Sequence, residues 1–180
     1  MNEDEIRNLI ANDEDMMEVI SLVNKLDLPD YLIGAGFVRN FVWDNLHHYD
    51  KVTPLNDIDV VYFDPLHIDK NLEKQYEDYL NSQKAGNWSV KNQARMHLKN
   101  SHEPYISTLD AISHWTETAT AIGVRLNKKG EVEIIAPYGI EDLVNLIIRP
   151  ITNTDLSIFR ERVTNKKWLT KWPLLKVLYE

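Results

Sequence analysis

Apolar residues in the first quarter of the chain recur mostly at the spacing of amphipathic helices. Residues 1–26 predict two short helices, with Asp13 as the N-cap of the second helix. Residues 31–33 predict a short strand, which ends at the turn Gly34-Ala35-Gly36. The next segment, residues 37–46, predicts a helix, because its large apolar residues lie three or four positions apart.

The remainder of the chain mixes strand-like and helix-like patterns. Alternating or β-branched runs predict strands at residues 58–63, 88–98, 121–126 and 131–136, the last two joined as a hairpin by Asn127-Lys128-Lys129-Gly130. Helical spacing predicts helices at residues 69–81, 139–148 and 155–168. Because strands and helices do not alternate strictly, we expect an α/β or α+β fold with a mixed sheet flanked by helices.

Asp57 and Asp59 stand at the start of the apolar strand at residues 58–63. Residues two apart on a strand share a face, so both carboxylates project together and repel each other. A divalent cation between them would offset this repulsion, and Mg²⁺ commonly combines one or two carboxylates with substrate phosphates. The ordinary alternative is a turn or helix-cap role for either aspartate.

The turn Gly34-Ala35-Gly36 lies between a predicted strand and a predicted helix. Glycines allow a ligand to approach the backbone, and a helix N-terminus offers free N–H groups to an anion, so the turn is a candidate phosphate site. The alternative is that the glycines only pack the helix against the strand. No Gly-Lys-Ser/Thr follows, as in a Walker loop, and no third glycine, as in a dinucleotide fingerprint.

Composition narrows the class of protein. A chain of 180 residues with 43% hydrophobic residues is expected to form one domain, with N-terminal helices at 1–27 and a basic helical segment at 150–180. No apolar stretch reaches the roughly 18 residues of a membrane helix, the acidic N-terminus does not resemble a signal peptide, and cysteine is absent. We therefore expect a cytoplasmic protein with no membrane partner, and a monomer.

Charge is distributed unevenly. The net charge of −8 argues against broad electrostatic binding of nucleic acid. Residues 160–176, however, contain six basic residues and one acidic residue. This cluster is either a solvated helix face or a surface that faces phosphate.

The order of these elements resembles the nucleotidyltransferase superfamily, which includes DNA polymerase β and the tRNA CCA-adding enzymes. A glycine turn opens a helix, and a loop then leads to an Asp-x-Asp sequence on a strand. The chain is more closely similar to a family of small bacterial nucleotidyltransferase-like proteins. The stretches that carry the resemblance are GAGFVRN (34–40), PLNDIDVVYFD (54–64), WSVKNQARMH (88–97), HWTETATAIGVRL (114–126) and IIAPYGIEDL (134–143).

The resemblance implies roles for several acidic and glycine residues. Gly34 and Gly36 match the pair that holds the triphosphate, although Phe37 replaces the usual small polar residue and the loop to Asp57 is longer than usual. Asp57 and Asp59 match the pair that binds Mg²⁺ or Mn²⁺. The superfamily adds a third acid from another strand, for which Glu133 is the first candidate and Glu131 the second.

Basic and polar residues complete the predicted nucleotide site. Arg39 follows the glycines in the first helical turn, where the helix dipole disfavours a cation, so an anionic partner is expected; Asn40 lies beside it. Lys91 and Arg95 share one face of the predicted strand 88–98 and are further candidates. Their alternative role is to pair with the protein's own carboxylates.

The expected function is metal-dependent transfer of a nucleoside monophosphate from ATP or another NTP to an acceptor hydroxyl. The acceptor is open between a small molecule, a protein and an RNA end. One alternative is a catalytically inactive protein that binds a nucleotide or a partner on the same fold. A glycosyltransferase that uses Asp-x-Asp ranks last, since the chain is short for that fold.

Overall fold

A computed structural model describes residues 1–152 and 154–179, which form a mixed central sheet, a two-stranded parallel sheet and helices. The strands are β1 (Leu32–Gly34), β2 (Ile58–Tyr62), β3 (Trp88–Asn92), β4 (Gly123–Leu126), β5 (Val132–Ile135), β6 (Ile147–Ile148) and β7 (Lys176–Val177). The helices are α1 (Glu3–Ala11), α2 (Glu14–Asn24), α3 (Gly36–Leu46), α4 (Lys70–Gln83), α5 (Met96–Asn100), α6 (Thr108–Ser113), α7 (Glu141–Val144), α8 (Leu156–Lys166) and α9 (Trp168–Lys171).

The central sheet has the strand order β3-β2-β1-β4-β5. Strand β1 is antiparallel to both β2 and β4, β2 is parallel to β3, and β4 and β5 form an antiparallel hairpin. The predicted fold class is therefore confirmed. Within the described residues, no helix combines the length and the apolar character needed to cross a bilayer.

One face of this sheet builds the main core. A row of register partners runs across all five strands and is buried throughout: Val90, Val60, Ile33, Val124 and Ile134. Helices α1–α4 cover this face with apolar side chains, so burial of this row anchors the sheet. The next row, on the opposite face, reads Ser89, Asp59, Gly34, Gly123 and Ile135, and it brings Asp59 out of the core.

Capping residues explain several helix boundaries. Asp13 caps α2 by accepting a hydrogen bond from the Met16 amide at 2.8 Å, and Asp69 caps α4 by accepting one from the Asn71 amide at 2.9 Å. The predicted helices at 1–26, 37–46 and 69–81 and the hairpin are confirmed with end shifts of a few residues.

Three predicted elements were wrong in extent. The strand predicted at 88–98 ends at Asn92, because the Asn92 side chain accepts from the Ala94 amide and a 3₁₀ turn at Gln93–Arg95 leads into α5. The helix predicted at 139–148 is reduced to α7, followed by β6. The helix predicted at 155–168 divides into α8 and α9 at Lys167, which has a left-handed backbone with φ 53°.

Candidate active site

A cavity of about 250 Å³ lies between the start of α3, the chain segment at 54–59 and the C-terminal helices α8 and α9. Its wall includes both aspartates of the Asp-x-Asp sequence. It also includes Gly36, Arg39 and Asn40 from the first turn of α3. The structure thus brings together five of the residues that the sequence predicted.

Asp59 reaches the cavity because it lies on the face of β2 opposite the core, and Asp57, directly before β2, lines the same cavity. Burial and the neighbouring Asp57 charge raise the pKa of Asp59, while a hydrogen bond from Ser89 and the charges of Lys166 and Arg39 lower it. Among the residues that the structure describes, no basic side chain forms a salt bridge with either carboxylate. The pair therefore remains available to an external cation.

The two glycines of the turn have different surroundings. A Cβ atom on Gly34 would lie 2.6 Å from Cη2 of Trp115, so Gly34 is needed to seat that indole ring. Gly34 is also absent from the cavity wall, and its predicted phosphate contact has no support in the structure. Gly36 does line the cavity, where a Cβ atom would meet only ordinary contacts.

Ala35, between these glycines, carries the unusual backbone conformation. Its φ of 53° and ψ of −121° lie in a region that favours glycine. Ala35 is the N-cap of α3, and no side chain caps the helix. The first amides of α3 are therefore left without a side-chain acceptor where the helix begins, at the wall of the cavity.

Arg39 is a buried cation in this wall, with only 7% of its surface exposed. Its Nη1 donates to Thr120 Oγ1 at 2.8 Å and its Nη2 donates to Asn40 Oδ1 at 2.9 Å, whereas its Nε has no partner among the described residues. The guanidinium also lies 4.8 Å from the ring centre of Trp168. Burial lowers the pKa of Arg39 to about 10, against the opposing effect of Glu117, so Arg39 is charged at neutral pH.

The C-terminal helices supply three more cations that the predicted site did not include: Arg162, Lys166 and Lys171. Arg162 is held by the buried carboxylate of Glu117, with Nε 2.7 Å from Oε1. The excess of basic residues at 160–176 was the only signal of these side chains in the sequence. These three side chains line the Asp-x-Asp cavity, and the interpretation of the basic segment as a surface that faces phosphate stays a prediction.

Lys91 and Arg95 lie outside the cavity wall. Lys91 Nζ is 2.7 Å from Glu77 Oε1, and Arg95 Nε is 2.8 Å from Glu73 Oε1. The same two glutamates accept hydrogen bonds from β3 amides, of Val90 and of Asn92. The cations thus offset carboxylates that cover an edge of the sheet, and their predicted nucleotide contact is corrected to this structural role.

Glu133 is also outside the cavity. Its strand, β5, lies three strand spacings from β2, which is roughly 14 Å. Its Oε2 accepts from Arg125 Nε at 2.6 Å, and Arg125 also pairs with Asp30. Glu131 instead accepts from Asn127 at 3.0 Å. Neither predicted third acid reaches the aspartate pair, and the described residues contain no group of three His, Cys, Asp or Glu that could hold a metal.

The family model of nucleotidyltransferases matches residues 21–177. This chain belongs to that family. Its predicted recognition as a nucleotidyltransferase is thereby confirmed, and the site above is the candidate active site of a nucleotidyltransferase. No curated protein matches this sequence.

Solved structures agree with the family. An NMR structure described as revealing a CCA-adding enzyme head domain is 32% identical with a TM-score of 0.87, and the match covers 99% of this chain and 97% of that chain. A CCA-adding enzyme in complex with CTP is 14% identical with a TM-score of 0.58. The Thermotoga maritima CCA-adding enzyme complexed with tRNA is 14% identical with a TM-score of 0.59.

These last two matches cover 99% of this nucleotidyltransferase chain but only 44% and 43% of the enzymes. The chain therefore spans less than half of their length. At 14% identity these two matches show a shared fold alone.

Proposed function

We propose that the protein transfers a nucleoside monophosphate from an NTP to an acceptor hydroxyl in a reaction that depends on a divalent metal. The supporting observation is a single cavity in which Asp57 and Asp59 face four basic side chains, next to the uncapped start of α3. A binding site for a polyphosphate and a cation needs both signs of charge in one place.

The donor set at the aspartate pair fits a hard divalent cation. Neither carboxylate forms a salt bridge with a described residue, so their oxygens are available as ligands. Burial and the Asp57 charge raise the pKa of Asp59, and a bound cation would offset the repulsion between the two carboxylates. Asp57 and Asp59 would hold Mg²⁺ or Mn²⁺. When bound, such a metal supplies charge neutralisation at the reacting phosphate.

The remaining residues of the wall would position the substrate. Arg39 and the first amides of α3 offer hydrogen-bond donors to phosphate oxygens. The acceptor oxygen would form a bond to the α-phosphorus as the bond to the β-phosphate oxygen breaks. Pyrophosphate would leave, and the hydroxyl proton would pass to solvent. Positioning and charge neutralisation carry most of such a reaction.

The acceptor is proposed only as a class. The similar structures include one enzyme in complex with CTP and one in complex with tRNA. An RNA end is therefore one candidate, beside a small molecule or a protein hydroxyl. The net charge of −8 gives this chain little general affinity for RNA, so an RNA acceptor would have to be bound locally.

A second candidate function is nucleotide or partner binding without catalysis. The observation in its favour is that Glu133 is held by Arg125, on a strand remote from the aspartate pair. With two carboxylates only, the site can bind a metal–nucleotide complex and yet lack a ligand needed for turnover.

The test measures pyrophosphate release with each NTP, Mg²⁺ or Mn²⁺ and the three acceptor classes, in parallel with nucleotide binding by NMR. We expect metal-dependent binding and release in the wild type, both lost in Asp57→Asn. Glu103→Gln, an exposed carboxylate with no described contact, is the control and should behave as wild type. Binding without release would favour the second candidate, and nucleotide binding unaffected by Asp57→Asn would exclude the metal-dependent transferase and leave only the second candidate.

A further inference from the structure

The C-terminal helices α8 and α9 form one wall of the cavity. The proposed metal site at Asp57 and Asp59 does not explain what these helices do. Lys166 closes α8, and Lys171 closes α9. Arg162 lies one helical turn before Lys166, and all three line the cavity. Side chains at this spacing share one helix face, so the cations of α8 present a continuous positive surface to the space in front of Asp59.

Glu117 organises this wall from within the protein. Its side chain is fully buried, and both of its oxygens accept from Arg162, at 2.7 Å from Nε and 3.2 Å from Nη2. Nη1 of Arg162 is left free of any hydrogen bond among the described residues. Burying a carboxylate costs free energy unless a cation pairs with it. Here the cation that pairs with Glu117 is Arg162, which belongs to the cavity wall.

The backbone of Glu117 fixes the second arginine. The Glu117 carbonyl accepts from the amides of Thr120 and Ala121, both at 3.0 Å, which closes a turn. This turn places Thr120 Oγ1 where Arg39 Nη1 donates to it. One residue therefore holds Arg162 through its side chain and orients Arg39 through its main chain, and each guanidinium retains a nitrogen donor without a partner among the described residues.

The charges around the cavity match a polyphosphate with a metal. Arg39, Arg162, Lys166 and Lys171 stand against the carboxylates of Asp57, Asp59 and Glu117, which leaves one net positive charge. A divalent cation would raise this to three, close to the charge of about −4 on a nucleoside triphosphate at neutral pH. Trp168 and Trp172 are buried at 2% and 0% exposure, so neither offers a free ring face for a nucleobase.

We infer that α8 and α9 form a subsite for the phosphate chain of the NTP, with Lys166, Lys171, Arg162 and Arg39 as its cations and Glu117 as their positioning residue. This subsite recognises the number of phosphates and does not read the base. The inference rests on the proposed function for the identity of the ligand, and it adds the C-terminal segment to the binding machinery.

The first experiment uses inorganic tripolyphosphate and orthophosphate as probes, in calorimetric titrations without divalent cations. The wild type should prefer tripolyphosphate. Lys166→Ala and Lys171→Ala should each weaken tripolyphosphate binding by about tenfold, the effect of one lost charge-assisted contact, and should affect orthophosphate less. Lys176→Ala, an exposed lysine on β7 outside the cavity, is the matched control and should change affinity less than about twofold. Unchanged tripolyphosphate binding in both cavity variants would overturn the inference.

Asp57→Asn separates this inference from the proposed function. Without divalent cations the variant should bind tripolyphosphate more tightly than the wild type, because a repelling charge has been removed from the cavity. With Mg²⁺ and an NTP it should bind more weakly. If only the metal-dependent loss appears, the proposed function stands and the phosphate subsite lies elsewhere; if only the metal-free gain appears, the subsite stands without the metal site.

Arginine side-chain NMR tests the role of Glu117. Tripolyphosphate should shift the Nε–Hε resonances of Arg39 and Arg162, while Arg160, which lies on α8 but packs over Tyr179, should not move. Glu117→Gln should abolish the Arg162 response and Glu117→Asp should restore part of it. Should either variant fail to fold, the wild-type spectra still decide: a response at Arg160, with none at Arg39 or Arg162, would contradict the inference.

Discussion

At the scale of single residues, the cavity holds side chains and backbone in arrangements that do not favour folding. Asp59 is partly buried beside a second carboxylate, and its pKa is raised for that reason. Ala35 adopts a backbone conformation that favours glycine, at the start of α3. Conflicts of this kind concentrate at functional sites, where a ligand or a required geometry compensates for them.

Removing the Asp59 charge should stabilise the metal-free protein. Asp59→Asn relieves repulsion with Asp57, and we expect the free energy of unfolding at neutral pH to rise by about 1 kcal/mol. Urea denaturation measures the change, with Glu103→Gln as the control. An Asp59→Asn variant less stable than the wild type would contradict the interpretation that repulsion between Asp57 and Asp59 destabilises the metal-free protein.

The same conflict predicts a pH dependence. A raised pKa means that folded Asp59 retains its proton to higher pH than unfolded Asp59, whose pKa is about 3.9. The contribution of Asp59 to stability therefore falls as pH rises from about 3.9 through the raised value. The stability gain of Asp59→Asn should be small at the acidic end of this window and largest above it, as measured by urea denaturation across the window.

Ala35→Gly should also stabilise the fold. Glycine adopts a φ of 53° without the steric penalty that alanine has, which is of order 1–3 kcal/mol, and it loses about 0.4–1 kcal/mol through unfolded-state entropy. We expect a net gain of about 1 kcal/mol in chemical denaturation. Ala85→Gly, at an exposed position without positive φ, isolates the entropy loss and should lower stability.

At the scale of elements, the site depends on how the segment after α3 and helix α9 are held together. Asp44, buried in α3, accepts three hydrogen bonds at 2.7 Å, from the Thr53 amide, the Thr53 hydroxyl and the Trp172 indole. Tyr49 adds a bond from its hydroxyl to the Lys171 carbonyl at 2.7 Å. The segment that leads to Asp57 and the cationic wall opposite it therefore share one anchor.

Asp44→Ala should weaken both elements at once. Three donors, of which the Trp172 indole is buried and the two of Thr53 are partly buried, would lose their acceptor, which we expect to lower the free energy of unfolding by about 3 kcal/mol. Asp50→Ala changes an exposed carboxylate near the same segment and should cost less than about 0.5 kcal/mol. Hydrogen exchange of the Thr53 amide and the Trp172 indole reports the loosening directly; unchanged protection in Asp44→Ala would rule out the shared anchor.

Elements were predicted well where their signals were local. Capping aspartates and the Asn-Lys-Lys-Gly turn located α2, α4 and the β4–β5 hairpin. The end of β3 was missed because the Asn92 side chain, which accepts from the Ala94 amide where the strand ends, is itself held by the carbonyls of Asp64 and His67, residues far from it in sequence. Alternation beyond Asn92 could not reveal contacts that form only after folding.

At the scale of the whole molecule, sheet topology decides which acids meet. The order β3-β2-β1-β4-β5 places β5 at one edge of the sheet, with β1 and β4 between it and β2. Glu133 is on the correct face of its strand for the predicted role, since Ile135 belongs to the same row as Asp59. The separation across the sheet nevertheless leaves Glu133 with Arg125 and Asp30.

Glu133→Gln should therefore spare nucleotide binding. We expect NTP affinity in the presence of Mg²⁺ to stay within about twofold of wild type, and stability to fall by roughly 0.5 kcal/mol, the scale of a partly exposed ion pair. Glu131→Gln serves as the neighbouring control. Loss of metal-dependent binding in Glu133→Gln with an intact fold would show that Glu133 belongs to the site after all.

The sequence by itself determined the mixed fold class, the Asp-x-Asp pair at the start of a strand, and the helix that begins at Gly36, because each depends on periodicity or on residues close together in the chain. Only the tertiary structure decided which groups surround that pair. Arg162, Lys166 and Lys171 come to it from more than 100 residues away, while Glu133, Lys91 and Arg95 are retained by partners elsewhere. Long-range pairing of charges depends on strand order and helix docking, and side-chain spacing along a chain carries no record of either.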